Sequence, residues 1–312
     1  MTCMKTTGHH IACVIVNWNG KKDTLSCLGS LDNVFLRGNK LTIIVVDNGS
    51  TDDSVSLIRR TYPRNVVIET GKNLGFTGGN NAGIMKAMDL KADIVWLLNN
   101  DTIVDKNVLS FTKEFDDPKV GAVGSKIYFA AGREYHKDRY KETERGKVLW
   151  YAGGLVDWDN VYASHRGVDE VDHRQYDQTA QTGFITGCSF IIRSEVFKKI
   201  GLLDDRFYLY LEDLDLSIRI QRVGFKTLFC PASVIWHVNA GSSGKPGNPL
   251  HEYYMTRNRL LVGMRYGPLR SKLALLREAV RFMTGKSSVR RQAVFDWLTG
   301  QFGKQYEPKK FN

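Results

Sequence analysis

The stretch Ile94-Val95-Trp96-Leu97-Leu98-Asn99-Asn100-Asp101 joins five consecutive apolar residues to two amides and a carboxylate. Five apolar residues without polar alternation predict a strand buried on both faces, as in a parallel sheet covered by helices. Its polar end then lies at a carboxyl edge, and open α/β sheets bind ligands outside that edge, where strand order reverses. Taken alone, an Asn-Asn-Asp cluster also makes an ordinary turn or helix N-cap. The segments around it have to decide.

The same unit recurs upstream. His10 to Val16 reads as a buried first strand ending in the loop Asn17-Trp18-Asn19-Gly20, and Leu25, Leu28 and Leu31 stand at helical spacing in a helix over 22–31. Leu41 to Val46 repeats the strand and closes on Asp47-Asn48-Gly49-Ser50-Thr51-Asp52, with Thr51, Asp52 or Asp53 as cap of a helix to about Arg60. Asn65 to Glu69 is a third, shorter strand. Strand, polar loop and helix in alternation predict a parallel sheet with right-handed crossovers.

Five glycines follow within residues 71–83, before a helix at 84–88. Glycines just ahead of a helix let backbone amides approach a phosphate at its N-terminus. The spacing is neither G-x-G-x-x-G nor a Walker A loop, and a tight turn explains the run equally well. Further on, 120–124 and 186–192 read as strands, and 194–200 as a Ser-capped helix. The long polar and aromatic region 128–182 is of a kind that shapes substrate surfaces. Phe207 to Leu211 reads as an aromatic strand end. It leads to Glu212, Asp213 and Asp215 in the first turn of a helix, where acids also simply complement the helix dipole. Strands at 225–231 and 234–237 end on His237, which as a lone histidine in an apolar stretch is more often structural than a ligand.

Composition, 42% hydrophobic and 25% charged, is that of an ordinary globular chain and excludes a disordered or fibrous one. The five cysteines are scattered without a C-x-x-C pair, so neither a disulfide framework nor a zinc site is indicated and a reducing cytoplasm fits. The amino end has only a six-residue apolar run, and no segment approaches the roughly 18 apolar residues of a membrane span. Charge is concentrated late: residues 251–312 hold 13 lysines and arginines against four acidic residues, which is +9 of the formal +11. On charge alone the tail fits nucleic acid or anionic lipid.

In this order the motifs resemble the inverting family 2 glycosyltransferases of the GT-A fold, most closely their rhamnosyltransferase-like branch. The likeness runs from about Ile11 to Leu261 and rests on Val-Asn-Trp-Asn-Gly at 16–20, Asp-Asn-Gly-Ser-Thr-Asp at 47–52, Asn-Leu-Gly-Phe-Thr-Gly-Gly-Asn-Asn at 73–81, Asn-Asn-Asp at 99–101 and Tyr-Leu-Glu-Asp-Leu-Asp-Leu at 210–216. His237 and Tyr-Tyr-x-x-Arg-Asn at 253–258 also match. The resemblance implies an α/β fold with a mostly parallel, helix-flanked sheet. Its catalytic domain would span 1–250, with a donor half of about 10–125 and an acceptor half of about 126–250, followed by a basic, mainly helical extension at 251–312.

It also implies a nucleotide-sugar donor (dTDP- or UDP-linked, with rhamnose favoured), Mg²⁺ or Mn²⁺, and a glycan or lipid-linked glycan acceptor in cell-envelope polysaccharide synthesis. By the same analogy Asp47 holds the base or ribose. Asn17, Asn48, Asn73, Gly78, Gly79, Asn80, Asn99 and Asn100 line the donor site, while Asp101 and His237 ligate the metal. Asn99 stands where many relatives carry the first Asp of Asp-x-Asp, which removes one negative charge. Asp213 is the expected general base, with Glu212 its acceptor-binding neighbour and second choice.

The chemistry calls for such a set. Charge growing on the leaving diphosphate has to be neutralised, which a metal does as a Lewis acid, and Mg²⁺ or Mn²⁺ commonly takes only one or two protein carboxylates. A histidine tilts the choice toward Mn²⁺. The attacking hydroxyl needs a base, worth about 10²–10⁴-fold. The alternatives are a sugar nucleotidyltransferase, against which stands the absence of a Gly-rich, Lys/Arg-bearing loop after the first strand, and a non-catalytic binding protein on the same scaffold. At the tail, Leu269, Leu273, Leu276, Val280 and Met283 form one helical stripe flanked by Arg270, Lys272, Arg277 and Arg281. That stripe predicts peripheral attachment to an anionic membrane at the cytoplasmic face, with no nucleic-acid partner. Packing on the domain or on a second subunit, as a homo-oligomer, is the other reading.

Overall fold

The computed structural model describes residues 8–238 and 248–307. Cys3 and the tail lysines Lys309 and Lys310 lie outside them. In chain order come β1 (His10–Asn17), α1 (Lys21–Leu31), β2 (Lys40–Asp47), α2 (Ser54–Thr61), β3 (Val66–Glu69), α3 (Gly75–Asp89), β4 (Ile94–Asn99), β5 (Thr102–Val104) and a 3-10 helix, Val108–Asp116. Then follow β6 (Val120–Phe129), β7 (Leu149–Tyr151), β8 (Gly154–Asp157), β9 (Tyr162–His165), β10 (Ala180–Gln181), β11 (Ser189–Arg193), α4 (Ser194–Ile200), α5 (Glu212–Arg222) and β12 (Lys226–His237). Three helices close the described chain: α6 (Pro249–Tyr266), α7 (Leu269–Thr284) and α8 (Ser288–Leu298).

The main sheet has the order β10-β12-β6-β11-β4-β1-β2-β3. Its strands β1 to β4 pair parallel, as do β6 and β12, while β11 runs antiparallel between β4 and β6. β4 is central, between β11 and β1, and buried on both faces. Alternate residues of β1 and β4 enter two cores: Ile11, Cys13, Ile15, Trp96 and Leu98 meet α1 and the 3-10 helix, and Ala12, Val14, Val95 and Leu97 meet α3, α4 and α5. This two-sided burial is why the strands read as unbroken apolar runs. β8 and β9 form a separate hairpin under the C-terminal helices.

Several local expectations are corrected. The strands expected at 225–231 and 234–237 are one strand, β12, whose pairing with β6 skips from Cys230 to Val234. Pro231 has no N–H to give to a ladder, so the chain bulges there instead of ending. Ser194 is the first residue of α4 and not its cap, and its hydroxyl has no hydrogen-bond partner among the described residues. Residues 207–211 are no strand. They turn, with Tyr208, Tyr210 and Leu211 all at positive φ.

The larger correction concerns the glycine block. α3 already starts at Gly75, so Gly78, Gly79 and Gly83 are helical. Cβ atoms at Gly79 and Gly83 would come within 2.9 and 2.2 Å of Val16 and Val14, so these glycines let α3 lie directly on β1. The N–H groups of Phe76 and Thr77, which a phosphate would need, donate to the Tyr208 carbonyl at 2.9 and 3.4 Å. The amides of Phe76 and Thr77 are satisfied by protein, which favours the tight turn of the two readings that the glycine run allowed. Gly75 has φ +75°, and a Cβ on it would sit 2.3 Å from the Tyr208 ring. Gly75→Ala is therefore expected to lower stability by about 2 kcal/mol or more, measured as a shift in denaturant midpoint at unchanged slope. An unshifted midpoint would show that the junction yields.

Candidate active site

The carboxyl ends of β1, β2, β4 and β12 gather the polar residues. β5 pairs antiparallel with the end of β12, setting Thr102 opposite His237. The residue before Thr102 is thereby brought to the histidine: Asp101 Oδ1 lies 3.2 Å from His237 Nε2, both side chains nearly inaccessible. The two are too poorly aligned to hydrogen-bond. Both oxygens of Asp101 and both ring nitrogens of His237 are buried without a hydrogen-bond partner among the described residues. Such groups normally find partners, because leaving one unmade costs about 1–3 kcal/mol.

The donor set has the chemistry of a divalent-cation site: one carboxylate, one imidazole, four orphaned polar atoms. No cluster of three or more His, Cys, Asp or Glu side chains with metal-binding geometry occurs among the described residues. One or two protein ligands are usual for a metal that takes its other ligands from phosphate oxygens and water. Trp150, which the sequence reading passed over, stands with its ring centroid 4.7 Å from that of His237 and 4.4 Å from that of His165. Burial pushes His165 down to about 4, so it is neutral, and its Nδ1 lies 3.1 Å from the Trp150 carbonyl.

Beside this pair a connected polar network runs along the edge. Asn17 donates to Asp47 Oδ1 (3.0 Å) and to Ser50 Oγ (3.1 Å), and accepts from Thr24. Ser50 N–H holds the other Asp47 oxygen at 3.0 Å. Asn100 donates to Thr24 Oγ1 at 2.9 Å, which ties the Asp101 turn to the start of α1. Asn99 receives Thr102 Oγ1 on its carbonyl and leaves its side chain half-buried at the edge.

Others among the expected donor residues serve their own loop. Asn48 bonds the Gly75 carbonyl and the Leu74 N–H, Asn73 receives the Gly75 N–H, and Asn80 turns back to the Phe76 carbonyl within α3.

The acidic cluster divides into three roles. Asp215 is fully buried and neutralised by Arg219 at 2.7 Å, Arg265 at 2.6 Å and the Tyr266 hydroxyl. It bolts α5 to α6. Asp213 accepts the N–H of Gly187 at 3.0 Å and of Leu214 at 2.8 Å and remains half-buried. Glu212 is buried, with Oε2 lacking a partner. Burial, and then the neighbouring Asp213 charge, hold its carboxyl well above the usual range. Burial raises Asp213 too, but its two backbone donors oppose the shift. Of the two neighbouring carboxyls, Asp213 is therefore the one more easily ionised and Glu212 the one more easily kept protonated. The loop before β11 links this pair to the other: Gly187 holds Asp213, while the carbonyl of the next residue, Cys188, accepts the Asn99 N–H at 3.0 Å.

One contributor was visible in the sequence as a motif without a role. Arg257 and Asn258, both fully buried on α6, clamp the turn before α5. Arg257 donates to the carbonyls of Arg206, Phe207 and Gly303, and Asn258 to those of Phe207, Leu209 and Tyr210, all within 2.8–3.1 Å. The boundary expected at residue 250 thus falls at the start of a helix that helps to hold Glu212 and Asp213 in place.

A family profile described as Glycosyltransferase like family 2 matches residues 9–259. The N-acetylglucosaminyl-diphospho-decaprenol L-rhamnosyltransferase of Mycobacterium tuberculosis is 25% identical over 219 residues, covering 66% of this chain and 69% of that protein. Among solved structures, the mannosyltransferase PcManGT of Pyrobaculum calidifontis, in complex with GDP-Man and Mn²⁺, aligns at TM-score 0.56 and 16% identity over 95% of this chain and 82% of its own. GalNAc-T7 with UDP, GalNAc and Mn²⁺ aligns at TM-score 0.60 and 17% identity over 94% of this chain and 58% of its own. At these identities the structural likeness is one of fold.

Proposed function

This chain belongs to glycosyltransferase family 2, with the GT-A fold of its structural neighbours, and from that premise we propose an inverting, metal-dependent transfer of a sugar from a nucleotide donor to an acceptor hydroxyl. That the protein is a glycosyltransferase follows from the family. The mechanism, the metal, and a dTDP-rhamnose or UDP-sugar donor acting on a lipid-linked envelope glycan are the proposal. The observation that carries it is the Asp101–His237 pair, buried, mutually adjacent and without hydrogen-bond partners among the described residues, linked to Asp213 through the loop of Gly187 and Cys188.

Asp101 and His237 would hold Mg²⁺ or Mn²⁺, which when bound neutralises charge on the departing diphosphate. Asp47, fixed by Asn17 and Ser50, is set to bind the nucleoside, with Asn99 and Asn100 bordering the phosphates. Asp213, held by Gly187 and Leu214, takes the proton of the acceptor hydroxyl as it attacks the sugar carbon from the face opposite the diphosphate. Glu212, keeping its own proton, is a donor to the acceptor. Acceptance of a rhamnosyl donor is supported by the mycobacterial relative, and a metal by the Mn²⁺ in two structural neighbours.

The test is incubation with labelled nucleotide sugars, with and without chelator. Metal-dependent release of nucleoside diphosphate, with label passing to a glycan acceptor of inverted linkage, is expected. Consumption of nucleoside triphosphate and sugar phosphate would instead reveal a nucleotidyltransferase, and tight donor binding without turnover a binding protein.

A further inference from the structure

The C-terminal helix α7 leaves its apolar stripe uncovered. Leu269, Leu273, Leu276, Val280 and Met283 are between 38% and 72% exposed, while Ser271, Leu275 and Ala279 on the opposite side pack against the domain. At 100° per residue these five fall within one narrow sector along a helix of 16 residues, about 24 Å long. Lone exposed apolar residues need no explanation, but a continuous exposed row marks an interaction surface.

Cations border the row on both sides. Arg270, Arg277 and Arg281 lie along one flank and Lys272 along the other. Among the described residues Arg270, Lys272 and Arg277 have no carboxylate partner, and Arg281 has only Glu278, at 3.9 Å. Arg277 and Arg281 also face a cleft of about 410 Å³ walled by Asp159, Asn160 and Arg259, where Glu278 already neutralises Arg259 at 2.5 Å.

We propose that α7 docks this protein in the plane of an anionic phospholipid surface, its stripe in the acyl boundary and its flanking cations at the headgroup phosphates. Charge selects the occupant. A second copy meeting this face through two-fold symmetry would set arginine against arginine, and nucleic acid offers no apolar layer for five exposed aliphatic side chains. An anionic bilayer satisfies both parts at once, the apolar row by burial and the cations by phosphate. No helix among the described residues is long and apolar enough to cross a membrane, so this attachment would be peripheral. The proposal deepens the acceptor side of the function above, since a lipid-linked acceptor would be confined to that surface.

The test uses the full chain without donor or acceptor, so that its failure is separate from failure of sugar transfer. Co-sedimentation is measured with vesicles of phosphatidylcholine and phosphatidylglycerol and with phosphatidylcholine alone. Binding only to the anionic vesicles, weakened by salt, is expected. Leu273→Ser with Val280→Ser, and separately Arg270→Gln with Arg277→Gln, should each reduce it about tenfold or more while unfolding midpoint and donor affinity stay unchanged. These positions are exposed, so the fold does not depend on them. Absence of binding, equal binding to neutral vesicles, or wild-type pelleting by both variants overturns the proposal. So does a wild-type dimer in sedimentation equilibrium that the serine variant dissociates, which would assign the face to a second copy.

Discussion

Asp213→Asn is expected to lower sugar transfer by about 10²–10⁴-fold while nucleotide-sugar affinity changes little, as measured by single-turnover rates beside a binding titration. The argument rests on what surrounds the carboxylate. Two backbone N–H groups fix its oxygens, so orientation is set by main chain and only basicity distinguishes Asp from Asn in the reaction. The amide does lose one of those two bonds, because its NH₂ would face an N–H. A local cost of about 1–3 kcal/mol in stability accompanies the change, and the unfolding midpoint has to be read alongside the rate. In the native enzyme, transfer should fall as pH drops, with a midpoint above the roughly 4 of a free aspartate, since burial raises the Asp213 carboxyl and protonation removes the base. A variant that keeps more than about a tenth of the rate would move the role to Glu212. Asp215 is occupied by two arginines and a tyrosine and offers no free carboxylate for the role.

The second large effect is at the cation pair. Asp101→Ala should cost at least about 10²-fold in turnover and abolish nucleotide-dependent Mn²⁺ binding measured by electron paramagnetic resonance. It should nonetheless leave the unfolding midpoint level or slightly raised. Most buried carboxylates anchor hydrogen bonds, and removing them orphans a partner. The Asp101 oxygens anchor none among the described residues, so in the metal-free protein their removal breaks no hydrogen bond and takes away a buried polar group whose contact is His237 at 3.2 Å. Full activity in excess chelator, or a fallen midpoint in the metal-free variant, would sink the assignment.

The sequence is informative where structure is periodic and local. β1, β2 and β4 appear as apolar runs because both faces are buried, and α5 because Leu214 and Ile218 recur at helical spacing. Asp101 stands out as the polar end of such a run. What joins it to His237 is the pairing of β5 with β12, a contact between segments more than a hundred residues apart that no local pattern encodes. The glycine block misleads for a related reason. Glycine is read locally as freedom of the chain, but in α3 it is absence of bulk toward β1, and the carbonyl that closes the helix start comes from Tyr208. Pro231 likewise reads as a strand end, although the neighbouring β6 continues and β12 bulges to follow it. The Arg257-Asn258 pair is legible as a motif, but its purpose depends on a turn about fifty residues earlier.

That clamp also defines what can be recombined. Exchanging the basic C-terminal extension between two such enzymes invites a cut at residue 250, where charge and composition change. A chimaera cut there would set a foreign helix against the carbonyls of Arg206, Phe207, Leu209 and Tyr210, with neither the guanidinium nor the amide guaranteed to meet them. The exchangeable module is the turn, α5 and α6 together, carried through Gly303, whose carbonyl completes the Arg257 contacts. Parts that look separable along the chain are one heritable unit in space.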